Sequence, residues 1–252
     1  MSAIIEFHNI TKRFGKRAVL DQLDLAIPKG KITFIVGKSG EGKSVTIKHI
    51  MGLLKPDQGK IIVDGEDITS FEHEQLREYR KKFGMLFQHA ALFDSMTVGE
   101  NVIFPLKEHT SMSMPDMLRR VEDVLVQVGL PNMQHKFPTE LSTGEKKRVG
   151  LARALVAKPA IILYDEPTTG MDPLVSEMID DLIVQVNQEI PDITSVVISH
   201  DLKAAMATAE YIVFLYKGKI ALAGSPADFK ISKDPVVRQF FSGKVEGPME
   251  FL

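Results

Sequence analysis

One eight-residue stretch constrains this chain more than any other. Gly37-Lys38-Ser39-Gly40-Glu41-Gly42-Lys43-Ser44 directly follows the apolar run Ile32-Thr33-Phe34-Ile35-Val36. Gly, four residues, Gly-Lys and then Ser is the spacing of a loop that wraps a phosphate chain. Glycines let successive backbone N–H groups turn inward on an anion. Lys43 can place its charge against terminal phosphate oxygens, and the Ser44 hydroxyl can ligate Mg2+. From Val45 to Leu53 the chain can run as a helix whose positive end faces that anion. The plainer alternative is a strand–turn–helix whose glycines serve only tight turning, and the flanking residues favour the phosphate loop over it.

Length and composition set the frame. The 252 residues allow one large α/β domain or two small ones, and 44% hydrophobic with 25% charged residues is an ordinary globular balance. A formal net charge of −2 gives no sign of a nucleic-acid or membrane-surface binder. The absence of cysteine excludes disulfides and thiol chemistry. The opening Met-Ser-Ala-Ile-Ile-Glu lacks a basic stretch followed by a long apolar core, so no signal peptide is expected from it. No apolar run approaches the roughly 18 residues that a membrane span needs, so the chain is not expected to span a membrane by itself.

Taken in order, residues 3–27 read as paired strands around a turn at 12–16, with a second turn at Pro28-Lys29-Gly30. Turn signals at 56–59 and 64–65 flank a short strand, 60–63. Ser70 is a candidate N-cap for a helix over 71–82. From about 97 to 140 the composition changes to a helical insertion, with periodic spacing over 115–128. Its methionines, Met112, Met114, Met117 and Met133, read as core, with a pliable surface against a partner helix as the alternative. Apolar strands at 83–87, 160–164 and 195–199 alternate with helices at 146–157, 173–187 and 202–209. A hairpin over 212–223 and a short helix at 235–241 complete the pattern, which argues for an α/β fold with a mainly parallel sheet covered on both faces.

Strand ends in such a sheet converge where ligands bind. Asp165 and Glu166 end one apolar strand: Asp165 suits a ligand to Mg2+, Glu166 the orientation or deprotonation of an attacking water. His200 and Gln88 end two others; His200 can donate to a terminal phosphate, and the Gln88 amide can contact Mg2+ or water. Ser142-Thr143-Gly144 opens a helix and is a second anion site. One nucleotide needs a single cradle, so this second helix start suggests a site completed by another subunit.

In this order the set resembles the nucleotide-binding subunits of ATP-binding cassette (ABC) transporters. Residues 37–44 match Walker A, Gln88 the Q-loop, Leu141-Ser142-Thr143-Gly144-Glu145 the signature, and 161–166 Walker B. Thr169-Gly170-Met171-Asp172 resembles the D-loop and His200 the switch histidine. The resemblance implies the ABC ATPase fold: a P-loop NTPase core, an N-terminal antiparallel β subdomain and an inserted α-helical signature subdomain at about 95–158. It places residues 1–242 in one domain and 243–252 in a tail. It further implies ATP and Mg2+ as cofactors, with Phe14 stacked on adenine, residues 37–45 and 142–145 binding nucleotide, Ser44, Gln88 and Asp165 at the metal, and Glu166, His200 and Gln88 in hydrolysis. It also implies a head-to-tail homodimer with two ATP at its interface, and a membrane permease whose coupling helix docks near Gln88. Two departures stand out: Thr143 and Glu145 replace the usual Gly and Gln of the signature, while Ser142 and Gly144 remain, so hydrolysis is expected, and Phe14 stands where Tyr is common.

Residues 86–98, with Glu100-Asn101-Val102 and 104–110, are similar to the ATPases of Mla/MCE phospholipid-transport systems, as is the tail Val237-Arg238-Gln239-Phe240-Phe241. That likeness implies a role in outer-membrane lipid asymmetry, an MCE lipid-binding protein and a small accessory cytoplasmic subunit as partners, and a place at the cytoplasmic face of the inner membrane. The alternatives are another ABC importer, such as one for amino acids, and a soluble ABC ATPase acting on nucleic acid or ribosomes. Near-neutral charge and the lack of a basic arm speak against the last. Phe240, Phe241, Met249, Phe251 and Leu252 form a terminal apolar cluster that folds back on its own domain or docks on the partner subunit.

Overall fold

The computed structural model describes residues 2–249. They form two compact units, one from the chain up to Leu76 together with the chain from Val196, the other from Arg77–Ser195.

In the first unit, β1 (Ala3–Phe14) and β2 (Arg17–Pro28) make a long antiparallel hairpin, with Phe14 opposite Arg17. The turn is shorter than the sequence pattern indicates, because Lys12, Arg13 and Phe14 stay in the ladder and Gly15, at φ 59, makes the reversal. β4 (Gln58–Val63) pairs with β1, and β5 (Glu66–Asp67) completes the order β2-β1-β4-β5. Ile5, Phe7, Ile10, Leu20, Leu23 and Ile27 supply the buried face of this sheet. A second sheet runs β10-β9-β3-β8 within this unit. Its strands are β3 (Ile32–Val36), β8 (Thr194–Ser199), β9 (Tyr211–Tyr216) and β10 (Lys219–Gly224). β3 is buried along its whole length and lies parallel to β9, as a two-sided parallel strand must. α1 (Lys43–Ile50) follows β3, and α7 (Leu202–Thr208) follows β8. α8 (Pro226–Ile231) and α9 (Pro235–Ser242) close the unit.

In the second unit, β6 (Phe83–Leu86) lies parallel to β7 (Ile161–Asp165). The expected helical insertion consists of α3 (Val98–His109), α4 (Met114–Gln127), a 3-10 turn (Pro138–Glu140) and α5 (Thr143–Leu155). α6 (Pro173–Glu189) then starts on the Asp172 carboxylate, which accepts from the backbone N–H groups of Leu174 and Val175. α3 starts in a capping box between Thr97 and Glu100. Buried Asn101 accepts from the Phe93 N–H and donates to the carbonyls of Phe93, Met96 and Thr97, which satisfies the loop entering the helix.

Several expectations need correcting. α2 (His73–Arg80) begins two residues later than expected, so Ser70 does not cap it; the Gln75 side chain accepts from the Glu72 N–H at its start. Of the methionines, Met117 is buried at 6% exposure, whereas Met112 and Met114 are exposed. The tail cluster is covered by its own chain as far as it is described. Phe240 stacks on Phe214 at 4.4 Å and Phe241 packs on Phe229 at 4.8 Å. Met249 is buried, its N–H donating to Gln239 Oε1 at 2.7 Å. Phe251 and Leu252 lie outside the described residues. Among the described residues no helix is long and apolar enough to cross a membrane.

Candidate functional site

The first unit holds the phosphate loop, Phe14 and His200. At Gly37 a Cβ would lie 2.4 Å from the Leu215 carbonyl oxygen, and at Gly42 one would lie 2.9 Å from Leu20 Cδ2. Backbone packing therefore demands glycine at Gly37, and at Gly42 the φ of 105 and the Val19 carbonyl oxygen, 3.0 Å from such a Cβ, make the same demand. Gly40 has open space but sits at φ 81, so there the backbone conformation makes the demand. Gly42 is the N-cap of α1, with no side-chain cap and no acidic residue in the first turn. The helix end thus presents its N–H groups without a carboxylate of its own, as an anion-binding end does. Lys43, buried at 5% exposure, donates from Nζ to the carbonyls of Gly37 (2.7 Å) and Lys38 (2.9 Å). Ser39, Gly40 and Ser44 are exposed and Val45 is half-buried. Glu41 turns its carboxylate to the backbone N–H of Lys217, at the β9–β10 turn, so its side chain serves the frame of the loop.

Phe14 is half exposed, with Lys12 Nζ 5.9 Å from its ring centroid. Arg17, opposite Phe14 across the hairpin, donates to the Gly40 carbonyl at 3.1 Å and so ties the aromatic end of the hairpin to the phosphate loop. Sequence reasoning missed Arg17; the signal was its place directly after the Phe14-Gly15-Lys16 turn. His200 is exposed and follows β8, the strand hydrogen-bonded beside β3, just before the Asp201 cap of α7.

The second unit holds Gln88, residues 142–145, Asp165 and Glu166. Asp165 ends β7, whose other four residues are buried. Glu166 takes a left-handed φ of 47, and its Oε2 accepts from Thr169 Oγ1 at 3.0 Å. A side-chain-bearing residue in that region costs about 1 kcal/mol or more, a strain that collects at functional positions. Ser142 caps α5, and Glu145 answers it: the carboxylate accepts from the Ser142 N–H and from its hydroxyl, both at 2.7 Å. Those two donors hold the Glu145 carboxyl below its ordinary pKa. Gly144 packs so that a Cβ would lie 3.1 Å from Val175 Cγ1. A cavity of about 500 Å³ runs along Ser142, Thr143, Gly144 and Glu145 to Asp172 and Met178, which brings the signature and D-loop candidates together.

Gln88 is half-buried, and its backbone carbonyl accepts from Lys147 Nζ. Burial pushes the Lys147 ammonium down to about 8, with the Asp165 carboxylate acting in the opposite direction. Arg153, also on α5, donates to the carbonyls of Ala90 and Ala91. Neither cation was singled out from sequence, where both look like ordinary helix-surface charges.

Residues 20–169 match the family described as ABC transporter. The chain is 40% identical over 248 residues to the "Intermembrane phospholipid transport system ATP-binding protein MlaF" of Haemophilus influenzae, covering 98% of this chain and 94% of that one. It is also 40% identical over 249 residues to the "Probable ribonucleotide transport ATP-binding protein mkl" of Mycobacterium bovis, covering 99% of this chain and 69% of that one. Among solved structures it resembles the ATP-binding cassette MJ0796, a dimer in a post-hydrolysis state bound to ADP and Pi. There the TM-score is 0.79 and the identity 31%, over 88% of this chain and 98% of that one. With a family match over more than half its length and relatives this similar along nearly all of it, the chain belongs to the ABC transporter family, as an ATP-hydrolysing subunit.

Proposed function

We propose that this chain drives phospholipid movement through a separate membrane permease by closing and reopening an ATP-bound homodimer. The observation that carries the cargo is the full-length likeness to the intermembrane phospholipid transport ATP-binding protein, which spans 94% of that relative. A ribonucleotide cargo is the second reading, favoured by the equal identity to mkl, although the chain spans only 69% of that protein.

Phe14 offers its half-exposed ring to the adenine. The N–H groups of residues 37–45 take the phosphates, and Lys43 exchanges its carbonyl partners for β- and γ-phosphate oxygens. The uncapped start of α1 and the exposed Ser44 fit a bound metal–nucleotide pair, and Ser44, Gln88 and Asp165 would hold Mg2+. When bound, the ion neutralises charge on the β- and γ-phosphates. Glu166 orients and deprotonates the attacking water, Gln88 positions it and His200 donates to the γ-phosphate. Ser142, Thr143, Gly144 and Glu145 of a second, head-to-tail copy complete each site.

A groove of about 350 Å³ lined by Phe87, Phe93, Phe104, Pro105 and His109 supports docking of a permease coupling helix beside Gln88. An MCE lipid-binding protein and a small accessory cytoplasmic subunit complete the complex at the cytoplasmic face of the inner membrane; nucleic acid is not a partner. Affinity purification of the tagged chain from membranes tests this reading. Copurification of a permease with bound phospholipid, and ATPase activity of that complex stimulated by phospholipid, is the expected result. Stimulation by ribonucleotides in place of lipid would favour the second reading, and salt-sensitive RNA binding would reject both.

A further inference from the structure

Five residues after β6, 87–91, carry Gln88 and are gripped by two cations from one helix. Lys147 Nζ donates to the carbonyl of Gln88 and, at 3.4 Å, to that of Phe87. The Arg153 guanidinium forks onto the carbonyls of Ala90 and Ala91, at 2.7 Å each. Four of the five backbone carbonyls therefore accept from α5. Between the two cations Gly150 allows close approach, since a Cβ there would lie 2.8 Å from Leu86 Cδ1 and 3.2 Å from Ala90 Cβ. Positions 147, 150 and 153 share one face of the helix. Ala90 and Ala91 sit at φ 57 and 49, a conformation that alanine holds only where its surroundings impose it. Lys147 is 3% exposed, a buried ammonium that the phosphate chemistry does not use.

We infer that Lys147 is a positioning residue for hydrolysis. The Lys147–Arg153 face of α5 fixes Gln88 to the same rigid helix whose N-terminus carries Ser142 and Glu145, so the signature end and Gln88 shift as one body. An ATP engaged by residues 142–145 is thereby felt at Gln88 through a single 13-residue helix. The inference rests on the proposed role of Gln88 in the ATP site.

Steady-state ATPase kinetics of the full chain with Mg2+-ATP test it. Lys147→Met keeps the apolar stem and removes the donor. Its kcat should fall roughly 10- to 100-fold with KM changed less than about twofold. Lys147→Gln, whose amide can donate to the same carbonyls, should restore most of the loss. In a Gln88→Ala background Lys147→Met should add nothing further. An unchanged kcat in Lys147→Met, or an undiminished extra loss in the double variant, overturns the inference. Gln88→Ala with parental turnover would instead remove Gln88 from the site, and the inference with it. If Lys147→Met does not fold, Arg153→Lys, whose single ammonium cannot fork onto the carbonyls of Ala90 and Ala91, carries the same comparison in both backgrounds.

Discussion

Two helix starts in this chain are candidates to meet the same phosphate group, and they are built in opposite ways. α1 begins on a glycine with no side-chain cap and no acid in its first turn. α5 begins in a closed capping box, where one carboxylate oxygen of Glu145 takes both the N–H and the hydroxyl of Ser142. The first has no side-chain cap at its backbone donors, as an anion-binding helix start does. The second is already satisfied by a negative charge from its own chain, so a phosphate must compete with Glu145 for the Ser142 hydroxyl. On the proposed head-to-tail dimer, the difference would assign affinity to the 37–44 loop and make the 142–145 end the conditional partner, engaged when a second copy brings a nucleotide to it.

The largest expected effect breaks the comparison at its chemical centre. Glu166→Gln should keep both helix starts intact and slow hydrolysis by roughly 10²–10⁴-fold, so that ATP accumulates closed dimers. Size-exclusion chromatography with ATP reads the dimer and phosphate release reads the rate. Parental turnover would strip Glu166 of its role, and a slow variant that stays monomeric would show that the 142–145 end does not close on a second copy's nucleotide. Next in size, Lys43→Ala removes charge-assisted bonds from the uncapped start, and ATP should bind about 10- to 100-fold more weakly. Fluorescent-nucleotide titration measures this, and undiminished affinity would take Lys43 out of the phosphate site.

The two starts also differ in how much of them is legible in sequence. The phosphate loop is written in contiguous residues, because Gly37, Gly42 and Lys43 are each demanded within one turn of chain. The Ser142–Glu145 box is equally local, as is the one between Thr97 and Glu100. The clamp on residues 87–91 is not, since Lys147 and Arg153 meet carbonyls about sixty positions away, and a basic residue on a helix otherwise reads as solvated. The short α8, with its own Ser225–Asp228 box, escaped notice because six residues show too little periodicity. Ser70 misled for the opposite reason: a good capping residue stands there, but the helix starts where Gln75 can reach the Glu72 N–H.

The smallest expected effect sharpens the comparison most. In Glu145→Gln the amide oxygen can still accept from the Ser142 N–H, so α5 keeps its start, but the carboxylate that holds the hydroxyl and repels an approaching phosphate is gone. The capped end should then behave more like the uncapped one. Closed dimers should form at about two- to fivefold lower ATP, the size of one charge at a helix terminus. Because part of that difference is Coulombic, it should narrow as salt is added. An ATP titration of dimer formation in parent and variant, at low and high ionic strength, reads both. A variant needing as much ATP as the parent would mean that Glu145 caps its helix without opposing the nucleotide.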